Sequence, residues 1–226
     1  MGYLTFGRLS TLSHVVCARH YAEQMRVSPL GGRRPTRAEL ADFEDGTVDD
    51  IACPDPWLLI VGVNPGLWTA AVNAPFAAPS NRFWPSLYEA GIMPHRVDAA
   101  AGLSASDESH MIRRGIGLTN LVNRATVRAA ELTKTELAAG GERLLDLTAR
   151  LHPDVVAVLG ITAYRDAFNE PGAQLGQQFH DDGEPVLLGG AELWVLPQPS
   201  GLNAHAPLPV LVDWWHTVMA RRGWRD

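Results

Sequence analysis

The sequence predicts a single three-layer α/β/α domain with a mostly parallel central sheet. Two apolar runs without polar alternation, Trp57-Leu-Leu-Ile-Val61 and Asp154-Val-Val-Ala-Val-Leu159, read as strands buried on both faces. Segments of helical spacing stand between and after them, and strands alternating with helices make a parallel sheet covered on both sides. At 226 residues the chain suits one such domain, since a single core grows to roughly 250 residues before chains divide.

Residues 1–36 read as a basic arm, expected to be disordered. Arg8, Arg19, Arg26, Arg33 and Arg34 flank the Gly31-Gly32 break, with no sustained period. The folded domain is placed at 37–226, opening with a short helix predicted from Arg37 to Phe43 in an acidic stretch. The stretch Trp57–Leu67 then sets Asn64 at the carboxyl end of a central strand, where open α/β sheets bind ligands. Asn64 can donate and accept, and Gly62 and Gly66 let a ligand approach the backbone. The loop lacks the Gly-Lys-Ser/Thr of a P-loop and the Gly-x-Gly-x-x-Gly spacing, which argues against nucleotide phosphates.

A loop from Trp68 to Ser80 carries Phe76, and a helix over Asn81–Ala90 is predicted with Pro85 near its first turn, where a missing N–H costs least. Met93–Ser109 reads as a connection, and Ile116–Val122 as a strand with Asn120 and Asn123 near its carboxyl end. The capping-box pattern Thr133-Lys-Thr-Glu136 opens a helix to Leu151. Its internal Gly140-Gly141 pair costs about 1 kcal/mol per Gly relative to Ala, so close packing or function is expected there. Strand 154–159, helix Ile161–Phe168, a polar loop 170–185 and a hairpin of Val186–Leu188 with Leu193–Leu196 follow. The loop Pro197–His205 leads into a last helix, Pro207 to Arg222.

Composition narrows the function. Nineteen basic against twenty-five acidic residues, net −6, argue against indiscriminate binding to a polyanion, although a local surface suffices for nucleic acid. Two cysteines, Cys17 and Cys53, and eight scattered histidines form no metal-ligand spacing, so no metal and no iron–sulfur cluster are expected. There is no apolar run of about 18 residues and no signal-peptide core, which makes the cytoplasm the default compartment.

Five motifs in order then carry a resemblance: Gly62-Val-Asn-Pro-Gly-Leu67, Pro75-Phe76 with Pro79-Ser-Asn-Arg-Phe-Trp84, Gly117-Leu-Thr-Asn-Leu-Val122, Glu136 to Gly141, and Trp194-Val-Leu-Pro-Gln-Pro-Ser-Gly-Leu202. From Pro35 to the final helix the chain resembles the mismatch-specific uracil-DNA glycosylase and thymine-DNA glycosylase family. The resemblance implies a uracil-DNA glycosylase-like fold. It also implies hydrolysis, in base excision repair, of the N-glycosidic bond of uracil, thymine or another damaged pyrimidine opposite guanine in double-stranded DNA. No organic cofactor, a monomeric state, a nucleoid-associated location and hand-over to abasic-site repair enzymes belong to the same expectation.

The resemblance also assigns roles. Asn64 matches the catalytic amide that positions water, and Phe76 the aromatic that stacks on an extruded base. Val63, Thr69, Asn81 and Asn120 match the base pocket, Thr69 facing the edge that distinguishes uracil from thymine. Asn81 doubles as an N-cap candidate, while Phe83 and Trp84 read as core. Ser200, Gly201 and Leu202 match the wedge that fills the gap left by a flipped nucleotide. Here the chain departs from the bacterial pattern: Gln198 replaces asparagine, and Asn203-Ala-His205 replaces an arginine-containing stretch, leaving His205 as a partial substitute. Asp98 and Asp107 are further carboxylates that could activate water if they reached the pocket. A non-catalytic lesion-binding protein and a hydrolase of free nucleosides are the alternative classes.

Overall fold

A computed structural model describes residues 26–51 and 55–221. The earlier part of the arm with Cys17, and Cys53, lie outside the described residues. Four strands run parallel: β1 (Leu58–Gly62), β2 (Ile116–Asn120), β3 (Val155–Leu159) and β6 (Ala191–Leu196). Two short strands, β4 (Gly176–Gln177) and β5 (Leu187–Leu188), pair antiparallel with β6. The order is β2-β1-β3-β6-β4, so β1 and β3 are interior, which explains their unbroken apolar sequences.

Successive strand residues feed opposite layers, as the period of two requires. Leu58 and Ile60 of β1 face one core, with α1 (Leu67–Val72), α2 (Phe83–Glu89), α3 (Ala105–Arg113) and α6 (Leu208–Ala220). Leu59 and Val61 face the other, against α4 (Lys134–Leu151) and α5 (Ile161–Phe168). The three-layer α/β/α architecture predicted from sequence is the one observed.

Two predicted loops hold helices. α1 lies inside the stretch 68–80; Thr69, Ala70, Ala71 and Val72 are all buried, so it shows no polar face and therefore no amphipathic period. α3 lies inside 93–109 and beyond. Ser104 caps it by accepting from the Asp107 N–H, and its first turn carries Asp107 and Glu108 while Met111 and Ile112 are buried. The helix expected over 37–43 is a 3-10 turn, Glu39–Phe43. The capping box at Thr133 and Glu136 is present as predicted.

Residues 45–51 form a strap along the open edge of β2. Ile51 and Leu118 exchange backbone bonds, Ala125 N–H donates to Gly46, and the Asn123 side chain brackets Val48 through both its amide groups. Arg26 locks this strap from outside the strands. Its side chain is 5 % exposed and reaches Asp49 O, Asp50 O, Asn73 O and the Glu108 carboxylate. Burial pushes the neighbouring Asp50 carboxyl upward, against the Thr119 hydroxyl and the Arg143 and Arg26 charges that pull it down.

The Gly140-Gly141 pair is explained by close approach. A Cβ on Gly140 would lie 2.5 Å from Leu121 O, and one on Gly141 2.8 Å from Ala167 O. Both obstacles are backbone and cannot turn aside. Gly140→Ala should therefore destabilise the fold by about 1–3 kcal/mol from overpacking, although helix propensity alone would stabilise it by about 1 kcal/mol. Urea unfolding gives the sign.

Candidate active site

The carboxyl ends of β1 and β2 converge because their register places Gly62 opposite Asn120. The pairing continues past the strands: Leu121 N–H donates to Gly62, Val122 N–H to Val63 and Thr126 N–H to Pro65. Asn64 is therefore held beside the loop 121–128. Its Nδ2 donates to Arg124 O at 2.9 Å and to Thr126 Oγ1 at 2.8 Å.

These partners settle which way the amide points. Arg124 O can only accept, and Thr126 Oγ1 spends its proton on Arg128 O at 2.9 Å, so nitrogen must face them. Asn64 Oδ1 is left as an acceptor, and no hydrogen bond to it occurs among the described residues. Thr126 had no sequence signal of its own, because its link to Asn64 spans 62 positions.

The 121–128 loop is itself clamped. Arg124 donates Nε to Glu136 Oε1 at 2.7 Å and Nη1 to Asp45 Oδ1 at 3.0 Å. Glu136 also accepts from the Thr133 N–H at 2.8 Å. The Arg124 guanidinium, then the Thr133 N–H, hold the Glu136 carboxyl down at about 2, and both carboxylates raise Arg124.

Over Gly62 there is no room for a side chain: a Cβ would strike Asn120 Oδ1 and lie 3.2 Å from Phe76 Cζ. Glycine here lets an aromatic and an amide meet above the strand end. Phe76 sits at φ 55°, a left-handed backbone uncommon for a bulky residue and characteristic of functional sites. Trp84 Nε1 holds it by donating to Pro75 O at 2.9 Å. One face of Phe76 stacks on Phe83, with centroids 3.9 Å apart and planes 21° apart. Phe83 and Trp84 are themselves buried core.

Asn120 is 8 % exposed and Thr69 6 %, and neither side chain makes a hydrogen bond among the described residues. Val63 turns its side chain into the core under α4 and α5. Asn81 Oδ1 accepts the Phe83 N–H at 2.9 Å, the cap-like role. The loop after β6 carries Leu202 at its tip, 89 % exposed. Ser200 Oγ accepts the Leu202 N–H, Asn203 bonds Gln198 O and the His205 N–H, and His205 is exposed on the same turn.

The two acidic candidates are engaged elsewhere. Asp98 bonds Ala100 N–H and Arg34, which lower its carboxyl. Asp107 is buried, accepts from Ser104 Oγ at 2.7 Å, and lies 2.9 Å from His95 Nε2, ion-pair distance but off hydrogen-bond geometry. Neither bonds to Asn64, Arg124 or Thr126 among the described residues. Nor do those residues contain three or more His, Cys, Asp or Glu grouped to hold a metal.

The family model for the Uracil DNA glycosylase superfamily matches residues 50–217. The chain belongs to that superfamily. Its general assignment is thus a DNA glycosylase, a hydrolase that cleaves N-glycosyl bonds in DNA. The match takes in Asn64, Phe76, Asn120 and the Leu202 loop of this glycosylase. Among the described residues no helix is long and apolar enough to cross a membrane.

The glycosylase's clamp has a pH signature. A carboxyl lowered in the folded state adds stability above its unfolded value of 4.5 and loses that contribution as pH falls towards about 2. Glu136→Gln keeps the capping box but removes the charge. Thermal melting should show wild type above the variant at pH 6, with the gap closing between pH 4.5 and about 2.

Proposed function

We propose that this glycosylase is monofunctional and mismatch-directed, hydrolysing the bond between deoxyribose and uracil paired with guanine in duplex DNA. The observation that carries the reading is the Asn64 amide, turned by Arg124 O and Thr126 Oγ1 so that Oδ1 is left to accept. In this role Oδ1 takes a hydrogen bond from water and aims its lone pair at the sugar carbon. The water oxygen forms the new bond to that carbon while the carbon–nitrogen bond breaks and its electron pair leaves with the base. The surplus water proton passes to the departing base anion through solvent, leaving a neutral sugar hydroxyl and the free base. An amide is a weak base, so catalysis rests on positioning and on stabilising the cationic sugar and departing anion.

The remaining groups have matching tasks. The base must leave the duplex at a cost of a few kcal/mol, least for a mismatched pair, which is a source of preference for U·G. Phe76, braced by Phe83, stacks on the extruded ring, a contact worth about 1–3 kcal/mol per base and tolerant of substituents. Buried Thr69 and Asn120 supply the polar edge of the pocket, and exposed Leu202 fills the vacated stack.

Base release from labelled duplexes with U·G, T·G and U·A, and from single-stranded DNA, tests the reading. U·G should be the preferred substrate. Asn64→Ala should reduce single-turnover release by about 100- to 1,000-fold, the range for loss of one pre-organised hydrogen-bonding group. Thr126→Val should lose less, since Arg124 O still orients the amide, while Asp107→Ala should release base like wild type. Release that survives Asn64→Ala but not Asp107→Ala moves the chemistry to the carboxylate. Tight U·G binding without release supports a lesion-binding protein, and hydrolysis of free deoxyuridine alone a nucleoside hydrolase.

A further inference from the structure

Arg82, beside Phe83 at the start of α2, binds the Leu202 loop at four points along its length. Its backbone N–H donates to Pro199 O at 2.9 Å. Its guanidinium donates Nη2 to Gly201 O at 2.9 Å, and Nη1 to Asn203 O at 3.1 Å and to Ala206 O. Among the described residues no carboxylate pairs with it. Gly201 closes the same contact from the other side: a Cβ there would lie 2.6 Å from Ser80 O and 2.8 Å from Ser80 Cβ. Segment 80–82 and loop 199–206 are thus one packed unit, continuous with α2 and α6, which are joined by Trp215 Nε1 donating to Ser86 Oγ at 2.8 Å.

Leu202 at 89 % exposure is an apolar side chain that water drives inward unless its backbone is held. A planar guanidinium has donors in a fixed fork, so three carbonyls bound to it are set in space, which a lysine ammonium cannot reproduce. We infer that Arg82 is the positioning residue of the wedge, holding loop 199–206 in the shape that presents Leu202 to the duplex. The inference rests on the base-flipping reading above. Fixing the loop in advance removes an ordering cost from the encounter with DNA. It also occupies the carbonyls of residues 201, 203 and 206 as acceptors of the guanidinium.

The test is a double-mutant cycle on single-turnover release from a U·G duplex, with thermal melting to verify folding. Arg82→Met should lower the rate by about 10- to 100-fold, as for loss of hydrogen bonds to a charged group, and Leu202→Ala, which removes the side chain that the loop presents, by a comparable factor. The double variant should fall within roughly 3-fold of the slower single variant, because the two residues act as one device. Arg82→Lys keeps the charge, loses the fork, and should remain at least about 10-fold below wild type; it replaces Arg82→Met in the cycle if the latter unfolds. Additive losses, or full rescue by lysine, overturn the inference and leave the glycosylase reading standing. A wild type that releases no base overturns that reading instead, and the cycle is then read in U·G duplex affinity. Absence of binding as well overturns both.

Discussion

The parallel pairing of β1 with β2 continues beyond the residues that define the strands, and the site depends on that continuation. Leu58 to Gly62 pair with Ile116 to Asn120, and the chain then keeps bonding through Gly62, Val63 and Pro65 to Leu121, Val122 and Thr126. Two loops that would otherwise be free to wander are fixed to each other. A slip of one residue would turn Asn120 to the opposite face and carry Thr126 away from Asn64. The places of Asn64, Asn120 and the Thr126 hydroxyl that orients the Asn64 amide are thus consequences of one register.

That register is protected from the side. An open β2 edge would expose unpaired N–H and C=O groups, and the 45–51 strap covers it while reaching on to Ala125 and Asn123. Arg26 secures the strap from α1 and α3, and Arg124 secures the site loop to Glu136 at the start of α4. Glu136 serves twice, capping its own helix and holding Arg124, so the helix start and the loop beside Asn64 share one carboxylate. Pre-organisation matters for the role proposed for Asn64, since an amide that positions water has to supply by geometry what it lacks in basicity.

The Leu202 side solves a different problem, holding an apolar residue out in water. The loop that carries exposed Leu202 is bonded to Arg82 at residues 199, 201, 203 and 206 and packs Gly201 against Ser80, and those residues belong to the segment that runs into buried Phe83, the ring on which Phe76 stacks. Phe76 and the Leu202 loop are therefore braced by one stretch of chain, 76–84, which on the proposed reading couples the place where a base is received to the place where its departure is filled.

Much of this was legible in the residues. Buried strands announced themselves by unbroken apolar runs, α4 by its capping box and α5 by its place after a strand and Gly160, and the Asn64 loop by glycine and proline after a strand. α1 was missed because it is buried almost all round and has no polar face, and α3 because its nine residues carry little apolar signal. The Gly140-Gly141 pair signalled close packing, but only the fold reveals the carbonyls of Leu121 and Ala167 against it. Local pattern, then, determined the layers, the strand order of events along the chain and the position of Asn64, since these follow from periodicity and turn chemistry. Tertiary structure alone decided the orientation of the Asn64 amide, the removal of Asp98 and Asp107 to other partners, and the hold of Arg82 on a loop more than a hundred residues away, because each depends on contacts between segments that sequence spacing does not encode.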